Sequence, residues 1–334
     1  MKTSLHVLCL SLLAFGAAAA QAQSAVTLYG ITAMEAVHVT GYSVDGITAG
    51  SVNRLDSSQV SASRLGFRGT EDLGGGLSAV FDLTSGFSLD TGLPANASKF
   101  FNRGSLVGLQ GDFGRVTAGR LWSVNDDIMS RYFIFGGYAA FRFTEFAGIS
   151  DLTDNALKYV SPSYNGFTVR TLYGWGEGQT GRTFEVAANY ANKYPFEAGL
   201  SYRSVRNLAG KADTLSTLGA SYDLGKVRIH GGISYSNPEA QGTPKTRAYD
   251  IGAVWLVHPQ GNLTLDYVAR DQQGTRDDSA FLRLGGEYYL SKRTSVIANL
   301  VALKNKGDAR QRFYGVGAPG VDQNVVSLGL RHAF

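Results

Sequence analysis

Cysteine is nearly absent from this chain: its 334 residues hold one, Cys9. A lone thiol gives no internal disulfide framework and no cysteine-based metal site. Proline is scarce at 7 and methionine at 3. Beyond the first segment no stretch approaches 18 consecutive apolar residues, which excludes helical membrane spans. A charge excess of either sign is also missing, since 31 Lys+Arg against 27 Asp+Glu leaves +4, too little to argue for nucleic acid. His38, His230, His258 and His332 are scattered without ligand spacing. What is plentiful is glycine (42), phenylalanine (18) and tyrosine (17). Without a Gly-X-Y period and with that aromatic content, collagen and disorder are both excluded, and many short strands are expected.

The first 22 residues read as a secretory signal peptide. Lys2 supplies a positive start, 7–20 is apolar, and Ala20-Gln21-Ala22 is the small-x-small pattern that precedes cleavage. A membrane-anchoring helix is the other reading, but 14 residues fall short of the roughly 20 that a bilayer core requires. Cleavage there removes Cys9, which has no apolar stretch before it and is a poor lipidation site, and leaves residues 23–334 without a thiol.

From there on, hydrophobicity alternates with a period of two. Val326, Leu328, Leu330 and Phe334 share one face against Ser327, Gly329 and Arg331. Leu282, Leu284, Tyr288 and Leu290 oppose Arg283, Gly285, Glu287 and Tyr289, and Leu263, Leu265 and Tyr267 oppose Thr264 and Asp266. In a soluble sandwich the apolar face points inward; in an outer-membrane barrel it meets lipid and the charged face lines the lumen. Alternation by itself fits both. The export signal, the aromatic strand ends and the length favour the barrel.

Connections give its size. Tight turns are expected at 71–76, 111–115, 164–166, 192–197, 223–226, 258–262 and 291–294, and longer stretches at 38–60, 85–101, 121–156, 174–183, 203–216, 234–248, 270–280 and 304–323. Fifteen connections join sixteen antiparallel strands, and a sixteen-stranded barrel leaves an aqueous channel. The stretch 121–156 is the longest, a size usually reserved for function.

Several segments carry a resemblance. They are Val26-Thr27-Leu28-Tyr29-Gly30, Ser63-Arg64-Leu65-Gly66-Phe67-Arg68-Gly69-Thr70-Glu71-Asp72-Leu73-Gly74, Val107-Gly108-Leu109, Phe113-Gly114, Gly119-Arg120, Tyr159-Val160-Ser161-Pro162, Leu290-Ser291-Lys292-Arg293-Thr294 and the ending Gly329-Leu330-Arg331-His332-Ala333-Phe334. Spread in order over the chain, they resemble the general porins of Gram-negative bacteria, more closely the betaproteobacterial and neisserial branch. The resemblance implies a trimeric sixteen-stranded barrel with its third loop folded into the lumen, and no cofactor. It implies as partners the outer-membrane bilayer, the outer-membrane insertion machinery and small hydrophilic solutes and ions.

Alternation puts Arg64 and Arg68 on the water face, opposite Leu65 and Phe67. The resemblance implies that Arg64 and Arg103 form the basic wall of a pore constriction, with Arg120 beside them. A third wall arginine of the family corresponds here to Leu152, with Lys158 nearby. The family's acidic loop tip is replaced by Phe133-Ile134-Phe135-Gly136-Gly137, so the acidic candidates are Asp126 and Asp127 first, then Glu145, Asp151 and Asp154, interspersed with Arg131 and Arg142. Removal of Lys2 with the signal leaves a net charge of +3. Together with the two wall arginines this points to weak to moderate anion preference. Phe334, with Val326, Leu328 and Leu330, resembles the terminal signal read by the insertion machinery.

Enzymatic patterns are weak. Gly176-Glu177-Gly178-Gln179-Thr180-Gly181 fits a dinucleotide loop, but the alternating Phe184, Val186, Ala188 and Tyr190 predict a strand after it, not a helix. No Gly-x-Ser-x-Gly elbow occurs. The alternatives to a channel are an outer-membrane barrel enzyme and a soluble secreted carbohydrate-binding sandwich. Solubility without detergent would mark the second, and channel conductance would eliminate it.

Overall fold

The computed structural model describes residues 25–57, 61–133, 152–178 and 181–334. Residues 1–22, expected to be a signal peptide, lie outside them. Seventeen strand segments form one closed antiparallel sheet. They are β1 (Ala25–Tyr42), β2 (Gly50–Ser57), β3 (Arg64–Gly74), β4 (Leu77–Gly86), β5 (Gly104–Gly111), β6 (Gly114–Trp122), β7 (Leu152–Val160), β8 (Phe167–Gly174) and β9 (Thr183–Ala191). The circuit continues with β10 (Phe196–Arg206), β11 (Ala212–Asp223), β12 (Val227–Pro238), β13 (Thr246–His258), β14 (Gly261–Gln272), β15 (Ser279–Tyr289), β16 (Thr294–Asn305) and β17 (Gln323–Ala333). One helix, α1 (Val124–Tyr132), follows β6.

β2 and β3 are two halves of one stave. The upper part of β1 pairs with β2, from Met34 opposite Ser57 to Thr40 opposite Ser51, and its lower part with β3, from Ala25 opposite Thr70 to Ile31 opposite Arg64. Counted by staves the barrel therefore has sixteen strands, as the turn count requires. The first connection differs from expectation: β1 runs to Tyr42, and 50–57 is strand, where a loop over 38–60 was expected. The polar sequence Gly50-Ser51-Val52-Asn53-Arg54-Leu55-Asp56-Ser57 hides that half-stave, whose Arg54 and Asp56 are paired along one face at 3.0 Å.

The break in the stave is mended by a hydroxyl. Between the two pairings, Ala33 has no β2 or β3 partner, and Ser63 Oγ accepts its N–H at 3.1 Å and donates to its carbonyl at 3.3 Å. Closure is made on the other edge of β1, where Ile31 faces Ala333 and Thr40 faces Asn324. Gly30 and Phe334 exchange both backbone hydrogen bonds at 3.1 Å. A Cβ on Gly30 would run into the Phe334 ring and, at 2.6 Å, the Arg64 carbonyl, so glycine makes the seat for the terminal aromatic.

The alternating faces fall as a membrane barrel needs. Leu328 and Leu330 are 60% and 51% exposed on the outside, while Ser327 and Val325 are buried on the lumen side. The lumen is less uniformly charged than the period of two suggests. On β15 to β17 and β1, Phe281, Val301, Leu303, Val325, Val37 and Val39 face inward and are buried. The segment 306–322 packs on this wall: Phe313 stacks edge-on against Phe281 at 5.2 Å, and Gln323 Oε1 accepts the N–H groups of Phe313 and Tyr314 at 2.8 and 3.0 Å. An inturned loop explains apolar residues where water was expected.

The hydroxyl mend generates a test. Ser63→Ala leaves both Ala33 groups without that partner, and the folded barrel should lose about 1–3 kcal/mol. Ser63→Thr, which keeps a hydroxyl, should recover most of it, as read from the temperature at which the folded electrophoretic band converts to the unfolded one.

Candidate functional site

Helix α1 begins where β6 ends, and its start is built from two side chains. Ser123 is extended (φ −61°, ψ 153°), and its Oγ accepts the Asp126 N–H at 2.9 Å. Glu185, fully buried on β9, accepts the N–H groups of Val124 and Asn125 on Oε2 at 2.9 and 3.4 Å. A carboxylate there meets the unpaired N–H groups and the positive end of the helix dipole. Its other oxygen lies 3.3 Å from Arg203 Nε, so the buried charge is shared.

The apolar side of α1 rests on glycine. Gly199, Gly219 and Gly232 lie on the lumen faces of β10, β11 and β12. A Cβ at Gly199 would stand 2.6 Å from the Tyr132 ring, one at Gly219 would stand 2.8 Å from Tyr132 Cβ, and one at Gly232 would overlap the Phe133 ring. Polar ties fix the register: Tyr132 Oη donates to the Ala198 carbonyl at 2.9 Å, and Ser201 Oγ to Asn125 Oδ1 at 2.8 Å. Burial pushes the Tyr132 phenol above its ordinary value. His230 Nδ1 lies 3.2 Å from the Tyr132 carbonyl, an acceptor, so that nitrogen carries the proton.

The other side of α1 turns Asp126, Asp127 and Ser130 toward the wall of β3 to β8 across two adjoining cavities. The first, about 330 Å³, is lined by Arg64, Arg103 and Arg120 with Tyr29, Asp82 and Asp126. The second, about 400 Å³, sets Arg115, Lys158 and Arg170 opposite Asp126 and Asp127. Leu106, Trp122 and Asp126 border both. Arg103 lies over the Trp122 ring, 5.4 Å from its centroid, and Arg64 Nη1 donates to the Ala62 carbonyl at 3.1 Å.

Carboxylates here are shared between cations. Asp154 holds both Lys99 and Arg120. Asp127 holds Lys158 at 2.5 Å, with Arg170 Nε at 3.5 Å. Glu197 on β10 holds Arg131 at 3.1 Å and Arg228 at 3.2 Å through the same oxygen. Each such trio carries one net positive charge.

Four of the candidates from sequence, Arg64, Arg103, Arg120 and Asp126, meet in the first cavity. Asp127 borders the second. Arg68 lines neither: its guanidinium lies over the Tyr29 ring at 5.0 Å. Asp154 belongs to β7, not to the loop, and Leu152 opens that strand. Ile134, Phe135, Gly136, Gly137, Arg142, Glu145 and Asp151 lie outside the described residues. Sequence reading missed Lys99, Arg115 and Arg170; Arg170 was findable, because it alternates with Phe167 and Val169 on the face of Thr168. Gly176, Glu177 and Gly178 lead into β9, a strand, so no helix N-terminus stands there for a phosphate. Val326, Leu328, Leu330 and Phe334 share the outer face of the final strand, at 41% to 60% exposure.

A closed sixteen-stave barrel, with a helix inside it facing a basic wall across water, defines a pore-forming outer-membrane barrel. Residues 9–308 match the Gram-negative porin family, and the chain belongs to it. It is 34% identical to outer membrane porin protein 32 of Delftia acidovorans over the whole of both chains. It is 28% identical to the major outer membrane protein P.IB of Neisseria gonorrhoeae, again over the whole of both. Among solved structures, an anion-selective porin from Comamonas acidovorans superposes with a TM-score of 0.83 at 32% identity, covering 93% of this chain and all of that one.

The glycine floor should be testable electrically. Gly219→Val places atoms where Tyr132 sits, a kind of overpacking that costs about 1–3 kcal/mol. The barrel should still fold, while single-channel current becomes noisier and α1 more open to protease; steady wild-type current would contradict the packing described.

Proposed function

We propose that this porin passes small hydrophilic solutes and ions by diffusion, with a weak to moderate preference for anions, and that the first cavity is its constriction. The observation that carries the reading is the meeting of Arg64, Arg103 and Arg120 in one water-filled cavity against Asp126 on α1. Opposed guanidiniums and carboxylates across a narrow neck create a transverse field that sorts ions without tight binding. Surplus positive charge raises the local anion concentration within about one Debye length, roughly 10 Å at 0.1 M salt. The anion selectivity named for the Comamonas porin supports this direction. In a planar bilayer under a tenfold salt gradient, Arg64→Ala with Arg103→Ala should shift the reversal potential toward cations and enlarge the conductance. An unchanged potential would assign selectivity elsewhere.

The same proposal includes export through a cleaved 1–22 signal, insertion read from the terminal Phe334, and a homotrimer joined through the outer faces of the first and last strands. The seating of the Phe334 ring on Gly30 at the closing seam supports a role in assembly. Deleting Phe334 should lower the yield of folded oligomer in the outer membrane while leaving the conductance of surviving channels unchanged. Oligomers stable in mild detergent should collapse to a heat-modifiable monomer on boiling, and a monomeric mass before heating would refute the trimer.

A further inference from the structure

The short-turn end of the barrel holds a third cavity, about 340 Å³, on the far side of α1. Ser130 borders both it and the first cavity. Its wall brings together Arg131 from the last turn of α1, Arg228 and His230 from β12, and Lys226 from the turn before that strand. None of these belongs to the wall already described.

Their hydrogen bonding leaves donors over. Arg131 spends Nε on Glu197, and Arg228 spends Nη2 on Glu197 and Ser221. Arg131 also lies over the Tyr132 ring, 6.0 Å from its centroid, and bonds the Tyr132 hydroxyl. Among the described residues, Arg228 Nη1 and Lys226 Nζ have no protein acceptor. The two arginine side chains are 39% and 41% exposed, open to the cavity water. Against these cations stand Glu197, already held by both guanidiniums, and Asp223, whose Oδ1 accepts the Gly225 N–H at 2.7 Å and so shapes the turn. One positive charge remains, with two free nitrogen donors beside a space large enough for a small ion.

We propose that this cavity is a second anion station, specific for oxyanions of the phosphate class, through which solutes pass between the neck and the short-turn rim. The chemistry is that of guanidinium and ammonium donors: a tetrahedral oxyanion accepts from several at once, and chloride gains far less from their geometry. Glu197 oxygen, bonded by two guanidiniums, is the resident oxygen anion on which an incoming one is patterned. Removing its charge strengthens the station, and removing Lys226 or Arg228 weakens it. This rests on the channel reading above.

The experiment is chloride current through the full chain in a planar bilayer, titrated with inorganic phosphate from each side in turn. Wild type should be inhibited more sensitively from one side than the other. Lys226→Ala with Arg228→Ala should raise the half-inhibiting phosphate concentration on the sensitive side by about tenfold and erase the asymmetry; Glu197→Gln should lower that concentration. Lys226→Ala alone, at an exposed turn residue, guards against misfolding and should give an intermediate shift. Equal inhibition from both sides, or unchanged sensitivity in the double variant, overturns the station while leaving the channel reading intact. Absence of any channel from wild type fails the channel reading itself.

Discussion

The constraint on which everything here depends is that a backbone crossing lipid must satisfy its hydrogen bonds within the protein. A sheet obeys it only by closing, and closure makes the joint between the first and last strands indispensable. This chain spends small residues on that joint. Gly30 admits the terminal aromatic ring, and Ser63 lends its hydroxyl to Ala33 where the second stave is interrupted. Both are local answers to one requirement: no open edge toward the bilayer.

Closure leaves a lumen too wide to be filled by wall side chains, so what occupies it decides what passes. Helix α1 is held against one side by removal of bulk as much as by attraction. Three glycines clear its bed, while Glu185 and Ser123 cap its start. Lying there, the helix presents its polar side to the wall of β3 to β8. The inturned segment 306–322 covers the apolar inner wall elsewhere, leaving open water mainly where the charges are.

The staves were legible because the period of two records which face meets lipid, whatever the fold inside. Leu328 and Leu330 against Ser327 say as much as a structure does. The half-stave 50–57 was hidden because its outward residues include Asn53, so hydrophobic alternation fails there. Arg64, Arg103 and Arg120 could be named from a resemblance, but their meeting with Asp126 depends on the path of α1, which no periodicity encodes. The partnership of Asp154 with Arg120 is set by the β6–β7 register, where an irregularity falls between Gly119 opposite Ala156 and Leu121 opposite Thr153, and Lys99 joins it from 55 positions away; hydrophobic alternation records neither.

Shared carboxylates explain how a channel can hold many charges and still conduct. An isolated arginine in a narrow lumen would attract an anion strongly and release it slowly, and a fully paired one would not discriminate at all. A carboxylate between two cations leaves one unit of charge spread over several atoms, so each trio attracts without trapping. Conduction needs that balance, entry favourable and exit easy. With trios at Asp154, Asp127 and Glu197, the surplus is spread over several places on the lumen wall. A mild net charge for the whole chain is then the expected outcome, because selectivity of this kind comes from where the unpaired units stand and not from how many there are.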